Sequence, residues 1–336
     1  MKILISTFLE LRPQSIVIDV RTPAEYAQGH IAGAINMPLF TNEERVVVGT
    51  LYKKVGKDEA IEKGLEFVGP RMASMVSQAR KLYNGNPLLL YCWRGGMRSN
   101  SVAWLFNTAG IESHTVVGGY KSYRREFGHC LQKTWQYMVV GGATGSGKTD
   151  VLKALATAGS QVIDLEGLAH HKGSSFGAIG EMPQPSTEQF ENDIFEQMLT
   201  FDISKPVWLE NESRTIGKVF IPQKMFADMD KSLLIRLVVP LKARVNRLVR
   251  DYTGSNKADL KAGVERISKR LGGVLAKKAV EAIEEGDFAK AAEIILAYYD
   301  KTYEYGFQSR QSEKREIIWG DESLSDFCKK LVIFNR

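Results

Sequence analysis

The stretch Tyr91-Cys92-Trp93-Arg94-Gly95-Gly96-Met97-Arg98-Ser99-Asn100 directly follows the apolar run Pro87-Leu88-Leu89-Leu90. A short apolar run bounded by turn residues reads as a buried strand. Ser99 to Ala109 has helical spacing and stops at Gly110. The Cys92 thiol is therefore expected at a strand-to-helix turn, near converging N–H groups and a helix N-terminus, with Arg94 and Arg98 in reach. Such surroundings lower a thiol pKa and stabilise the thiolate. Cys130 and Cys328 lack such neighbours and read as structural.

Working outward, Ser15-Ile16-Val17-Ile18-Asp19-Val20 and His114-Thr115-Val116-Val117 read as further strands, with a short helix over Thr22 to Gln28. Alternating strands and helices imply an α/β layer fold with a mostly parallel sheet. The charged stretch Lys121 to Lys133 ends this first part. A second α/β unit begins at the strand Gln136-Tyr137-Met138-Val139-Val140. It continues through strands at Gln161–Asp164, Pro206–Glu210 and Leu233–Val239. From about Lys257 the pattern is helical. The expected division is residues 1–132, 133–256 and 257–336, the last a mainly helical region packed on the second unit.

Gly142-Ala143-Thr144-Gly145-Ser146-Gly147-Lys148-Thr149 matches the GxxxxGK[ST] phosphate loop, after a strand and before a helix. Glycines let the backbone turn its N–H groups to one point, the helix N-terminus adds positive potential, and Lys148 adds a mobile cation. Gly142, Thr144, Gly145, Ser146, Gly147, Lys148 and Thr149 are the candidate phosphate-binding residues, Thr149 also a candidate magnesium ligand. Asp164 and Glu166 end the next strand, and Glu210 ends Val207-Trp208-Leu209, where an acid holds metal or water in phosphoryl-transfer folds. Arg244, Arg247 and Arg250 recur every three residues and are expected to share a helix face that closes over phosphates. A helix-capping role for the acids and a solvated face for the arginines are the competing readings. The setting is that of a small kinase-like domain. A phosphate loop binds phosphate, and any diphosphate can occupy it.

Composition sets limits. The chain has 336 residues, 44% hydrophobic and 25% charged, which suits about two globular domains. No segment reaches the roughly 18 uncharged apolar residues of a membrane span. Met1 to Ser6 is too short, and Glu10 and Arg12 follow too soon, for a signal peptide. Three cysteines without a CxxC pair favour a reducing compartment, so a soluble cytoplasmic protein is expected. Between Lys231 and Lys278 stand 13 basic residues against three acidic ones, a local charge of +10 that suits a polyanion. The cluster Tyr298, Tyr299, Tyr303, Tyr305 and Phe307 reads as helix packing.

Two chemistries use a loop like that of Cys92. In a cysteine phosphatase C-x5-R wraps a phosphate, and Cys92 to Arg98 has that spacing. In a rhodanese the loop cradles a persulfide. Asp19-Val20-Arg21-Thr22-Pro23-Ala24-Glu25-Tyr26, followed by Gly29-His30-Ile31-Ala32-Gly33-Ala34-Ile35-Asn36-Met37-Pro38, resembles the rhodanese signature, with Val117-Gly118-Gly119-Tyr120 where such domains end. That resemblance makes His30 a fold-stabilising residue. Phosphatases of the same fold usually place His before the cysteine, where Tyr91 stands here.

With Cys92 to Ser99, Gly141 to Thr149 and Asp164 to Ser174 in this order, the chain resembles the tRNA 2-selenouridine synthase family from about Val17 to Tyr305. The resemblance implies an N-terminal rhodanese-like domain followed by a P-loop (kinase-like) parallel α/β domain with a helical C-terminal region. It also implies a tRNA-modifying transferase that converts wobble 2-thiouridine to 2-selenouridine with selenophosphate, through S-geranylation from geranyl diphosphate. On this reading the partners are the anticodon region of tRNA, selenophosphate and geranyl diphosphate. No membrane is involved, no tightly bound cofactor is expected, and Mg2+ is admitted. Cys92 takes selenium as a bound selenide or assists its delivery, and Trp93, Arg94, Gly95, Gly96, Met97 and Arg98 form the selenophosphate loop. C-x5-R is one residue longer than the C-x4-R of many rhodaneses, and selenophosphate is a tetrahedral anion of the kind the longer loop surrounds. The tRNA gives the Lys231–Lys278 segment its polyanion. Alternative readings are an ATP-dependent tRNA sulfurtransferase and a non-enzymatic rhodanese/P-loop sensor.

Overall fold

The computed structural model describes residues 1–252, 254–320 and 322–334. The chain forms two compact units, Met1–Cys130 and Leu131–Arg336. In the first, the elements in chain order are β1 (Lys2–Ile3), α1 (Ile5–Leu11), β2 (Val17–Asp19), α2 (Pro23–Gln28), β3 (Ile35–Asn36), α3 (Asn42–Lys54), α4 (Lys57–Val68), α5 (Met72–Leu82), β4 (Leu88–Tyr91), α6 (Met97–Thr108), β5 (Ser113–Val116) and α7 (Gly119–Gln132). The strands pair in the order β1-β5-β4-β2-β3, each pair parallel. Leu88, Leu89 and Leu90 are wholly buried, and Leu88 and Leu90 join Val102 and Phe106 of α6 and Met75 and Ala79 of α5 in one core. A strand covered on both faces must be apolar throughout, which is why β4 reads as an unbroken run.

The second unit contains β6 (Tyr137–Gly142), α8 (Lys148–Thr157), β7 (Gln161–Ile163), α9 (Leu165–Ala169), α10 (Thr187–Met198), β8 (Val207–Glu210), β9 (Thr215–Ile216), β10 (Val219–Phe220), α11 (Gln223–Lys231), β11 (Leu234–Val238), α12 (Leu241–Tyr252), α13 (Lys257–Leu271), α14 (Gly273–Glu285), α15 (Phe288–Ser309), β12 (Lys314–Ile318) and α16 (Leu324–Phe334). Five parallel strands form its main sheet in the order β12-β11-β6-β8-β7, and β9 and β10 form an antiparallel ribbon. From β6 the chain passes to β7 and β8 on one side and later to β11 and β12 on the other. The crevice at the carboxyl end of β6 is thus a topological switch point, where ligands bind in open α/β sheets. The phosphate loop lies there.

The C-terminal segment is not helical throughout. After α13, α14 and α15 it returns as β12, which pairs in register with all of β11 and extends the main sheet. One core lies under α8 and α16, with Val151, Leu155, Phe327 and Leu331 against Val140 and Ile235. A second forms among α13, α14 and α15 around Val264, Ala279 and Ala291. Lys121 to Gln132, expected as a charged separator, lies in α7, which buries Tyr120, Tyr123 and Phe127. Among the described residues no helix is long and apolar enough to cross a membrane.

Candidate active site

In the first unit β4 delivers Cys92 into a tight loop that ends at Gly96, the residue before α6. The loop is closed from below by β5 and the turn after it: a Cβ on Gly95, whose φ is +63°, would lie 2.2 Å from the Val116 carbonyl oxygen. Only glycine fits there. Cys92 is 3% exposed, and its sulfur lies 3.3 Å from Ser99 Oγ and accepts the Gly96 N–H at 3.3 Å. Burial pushes the thiol pKa up, but the Ser99 hydroxyl and backbone, the Arg98 charge and the Gly96 N–H together bring it below the ordinary value. Ser99, wholly buried, is a site residue the sequence motif alone did not single out.

The two loop arginines differ. Arg98 is forked onto Glu25, with contacts of 2.6 and 3.1 Å. Glu25 in turn accepts the Thr22 N–H while Thr22 accepts the Glu25 N–H, the reciprocal cap of α2. The α2 cap therefore fixes Arg98 beside the thiol. Arg94 is exposed and has no hydrogen-bond or ion-pair partner among the described residues, so it is the loop's available cation. Trp93 and Met97 are also exposed on the loop, 38% and 51%. Below them, Arg21 is wholly buried, paired with Asp19 at 2.7 Å and stacked over Tyr120. The His30 ring stacks on Tyr26, with centroids 3.8 Å apart.

In the second unit the phosphate loop leaves β6 and enters α8 at Gly147, whose φ is +84°. A Cβ there would stand 2.8 Å from Arg247 Cζ and 2.9 Å from the Trp319 ring. Lys148 Nζ donates to the Gly142 carbonyl at 3.2 Å, folding the cation back over the loop. Ser146 Oγ is buried and without a hydrogen-bond partner among the described residues. Thr149 Oγ1 lies 3.3 Å from Glu166 Oε2, and the Glu166 N–H donates to Glu210 Oε1 at 2.5 Å.

Glu166 and Glu210 thus meet at the loop, joined by Glu212, which the sequence reading missed, while Asp164 caps α9 by accepting the Gly167 N–H at 2.7 Å. Burial, with the charges of Asp164 and Glu166, pushes the Glu210 carboxyl well up; its Oε2 has no hydrogen-bond partner among the described residues. Burial and the Glu166 charge push Glu212 up to about 8, against the pull of Lys148. Glu166 is itself raised, first by burial. Burial and mutual repulsion thus favour the protonated form of Glu166, Glu210 and Glu212 over a full set of charges. Among the described residues no three carboxylate, imidazole or thiol groups form a metal cage. Thr149 with Glu166 matches the sparse protein ligation that magnesium takes when phosphate oxygens complete its shell.

The three arginines of α12 each have protein partners. Arg244, 7% exposed, is forked onto Asp300 at 2.7 Å twice and donates to the Thr144 carbonyl at 3.2 Å. Arg247 donates to the Gly145 carbonyl at 2.7 Å, pairs with Asp150 and lies over Trp319. Both hold the loop by its carbonyls, which leaves its N–H groups for a ligand. Arg250 is a surface residue beside Asp150 and Asp251.

The Lys231–Lys278 charge is also partly neutralised inside the unit. Arg236 pairs with Glu304 and Glu316, Lys261 with Glu284 and Lys277 with Glu281, in addition to the α12 pairs. Lys231, Lys242, Lys269 and Lys278 remain exposed without an ion-pair partner among the described residues. A linear charge count overstates the basic surface because it omits acids that the fold brings in from elsewhere.

Comparison with known proteins finds relatives of both units. The sequence model of the tRNA 2-selenouridine synthase AAA domain matches residues 135–330, and that of the rhodanese-like domain matches residues 8–126. A tRNA 2-selenouridine synthase of Marinobacter nauticus is 34% identical over 349 residues, spanning 93% of this chain and 94% of the relative. One from Bordetella petrii is 35% identical over 355 residues, spanning 91% and 90%. One from Nitrosomonas europaea is 38% identical over 245 residues, spanning 70% of this chain and 63% of that protein. With matches of this length across the thiol loop and the phosphate loop alike, the chain belongs to the tRNA 2-selenouridine synthase family.

Proposed function

We propose that this enzyme exchanges the sulfur of wobble 2-thiouridine in tRNA for selenium in two steps, one for each anion site. The second unit binds geranyl diphosphate, its diphosphate held by the N–H groups of Gly145, Gly147 and Lys148, by the start of α8 and by the Lys148 ammonium. The thiouridine sulfur attacks C1 of the geranyl group. The C1–O bond breaks, diphosphate leaves with the electron pair, and the uridine N3 proton passes to solvent. Lys148 and the loop meet the charge that develops on the leaving group. Thr149 and Glu166 would hold a magnesium ion, which supplies further positive charge to the diphosphate.

Alkylation turns a poor leaving group into a good one and makes C2 more electrophilic. The first unit then supplies selenium from selenophosphate, with Arg94 and the Cys92–Arg98 loop holding the anion. Selenium in selenophosphate is already at the selenide level, so a perselenide on Cys92 would require an oxidant. The balanced course is attack of the Cys92 thiolate on phosphorus: the S–P bond forms, the P–Se bond breaks, and selenide leaves with the electron pair. Selenide adds to C2, the C2–S bond breaks, and geranylthiolate departs; water clears the phosphoryl group from Cys92.

The observation that supports this reading above others is the Cys92 thiol set between Ser99, Arg98 and Gly96 in a loop of phosphate-binding length. The geranylation half is tested with Lys148→Ala and 2-thiouridine tRNA. Loss of the S-geranyl nucleoside is expected, and an unchanged yield would sink the assignment.

A further inference from the structure

Thr144 of the phosphate loop lines a chamber in the second unit whose other walls are mostly apolar. The room in it for water-sized molecules is about 70 Å³. Of its four polar side chains two are already engaged: Ser174 Oγ accepts the Phe176 N–H at 3.2 Å, and Tyr299 Oη accepts the Ser175 N–H at 3.2 Å, which leaves the Thr144 and Tyr252 hydroxyls. A purine base seated here would meet only those two hydroxyls and leave most of its ring donors and acceptors buried without partners, which is costly. An amphiphile with an anionic head on the loop and a hydrocarbon tail in the chamber fits both ends.

The direction of the chamber follows from α15. Asp300 is tied to Arg244, which donates to the Thr144 carbonyl, so the Tyr299 end of α15 lies at the phosphate loop. Phe288, eleven residues earlier on the same helix, lies about 16 Å further along its axis. The chamber therefore runs back along α15 from the loop toward Phe288 and the buried Ile283. Phe288 is half-buried at the first position of α15, between the chamber and solvent.

We infer that this chamber holds the hydrocarbon tail of the diphosphate substrate, and that Phe288 and Ile283 at its far end set the length of tail accepted. The inference rests on the reading that the second unit transfers a short isoprenoid from its diphosphate. Phe288→Ala opens the end to solvent and admits a longer tail. Ala291→Leu, from a position 3% exposed that lines the chamber, fills its far half and admits only a shorter one.

The full-length protein is given 2-thiouridine tRNA with an equimolar mixture of dimethylallyl, geranyl and farnesyl diphosphates, and the nucleosides are read by mass spectrometry. Phe288→Ala is expected to raise the farnesyl-to-geranyl product ratio about tenfold, and Ala291→Leu to raise the dimethylallyl-to-geranyl ratio about as much. Wild-type ratios in both variants would overturn the gate. Calorimetry separates tail binding from transfer. Wild type should bind geranyl diphosphate about tenfold or more tighter than inorganic pyrophosphate, and both variants should bind pyrophosphate as wild type does. Equal affinity for the two ligands would overturn the chamber. Tail-dependent binding without any prenylated nucleoside would keep the chamber and refute the transfer reading instead.

Discussion

Replacing Ser99 with alanine isolates what the loop does to its thiol. The hydroxyl lies 3.3 Å from Cys92 Sγ and is wholly buried, so alanine removes the contact while keeping the backbone and nearly the same volume. A hydrogen bond to a charged group contributes about 1.5–3 kcal/mol. Because one pKa unit corresponds to about 1.4 kcal/mol, the thiol pKa should rise by about 1–2 units. Arg98 and the Gly96 N–H stay in place, so part of the depression survives. The assay is the rate of iodoacetamide alkylation at Cys92 against pH, read by peptide mass spectrometry. That readout keeps the buried Cys130 and Cys328 out of the signal. The midpoint should move up in pH, with the plateau rate at high pH unchanged. A profile superimposable on wild type would refute the claim that Ser99 stabilises the thiolate.

Glu25→Gln should destabilise the first unit by about 1–2 kcal/mol at neutral pH, because it leaves Arg98 without its carboxylate. Burial raises the Glu25 pKa, but the Arg98 hydrogen bond and charge and the Thr22 N–H outweigh it and leave it lowered. Its contribution is thus full above the unfolded carboxylate value and is lost as pH falls through the folded one. The stability gap between wild type and variant, measured by urea unfolding, should close in acid, and a pH-independent gap would contradict the pairing. Gly147→Ala places a side chain at φ +84° against Arg247 and Trp319. At least about 1 kcal/mol of stability should be lost from the backbone conformation alone, together with pyrophosphate binding measured by calorimetry. Gly306→Ala is the contrasting case, a helical position in α15 with nothing within 4 Å of the new carbon, and should stabilise by about 0.5–1 kcal/mol in the same unfolding assay.

The features legible in the sequence are those whose physics is local. The β6 strand and Val207 to Leu209 of β8 are apolar because both faces are covered, and the glycines of the phosphate loop are required by its backbone turn. Cys92 announces itself through neighbours on either side. Features set by distant partners stayed hidden. Glu25 is one residue of the Asp19–Tyr26 stretch by sequence and becomes the Arg98 anchor only through a fold that spans 73 residues. Arg244 and Arg247 read as phosphate clamps until Asp300, Asp150 and the loop carbonyls occupy them. Lys314–Ile318 carries three charged residues in five and shows no buried-strand pattern, because as an edge strand it needs only one neighbour. Tyr299 reads as helix packing and is that, but the face it packs also walls the chamber beside Thr144.

The central claim is that selenium transfer depends on Cys92 and geranyl transfer on the phosphate loop. It is tested most directly by giving Cys92→Ala 2-thiouridine tRNA, geranyl diphosphate and selenophosphate together and quantifying the nucleosides by mass spectrometry. The division of labour predicts that 2-selenouridine disappears while S-geranyl-2-thiouridine accumulates above its wild-type level. Equal loss of both nucleosides would contradict it.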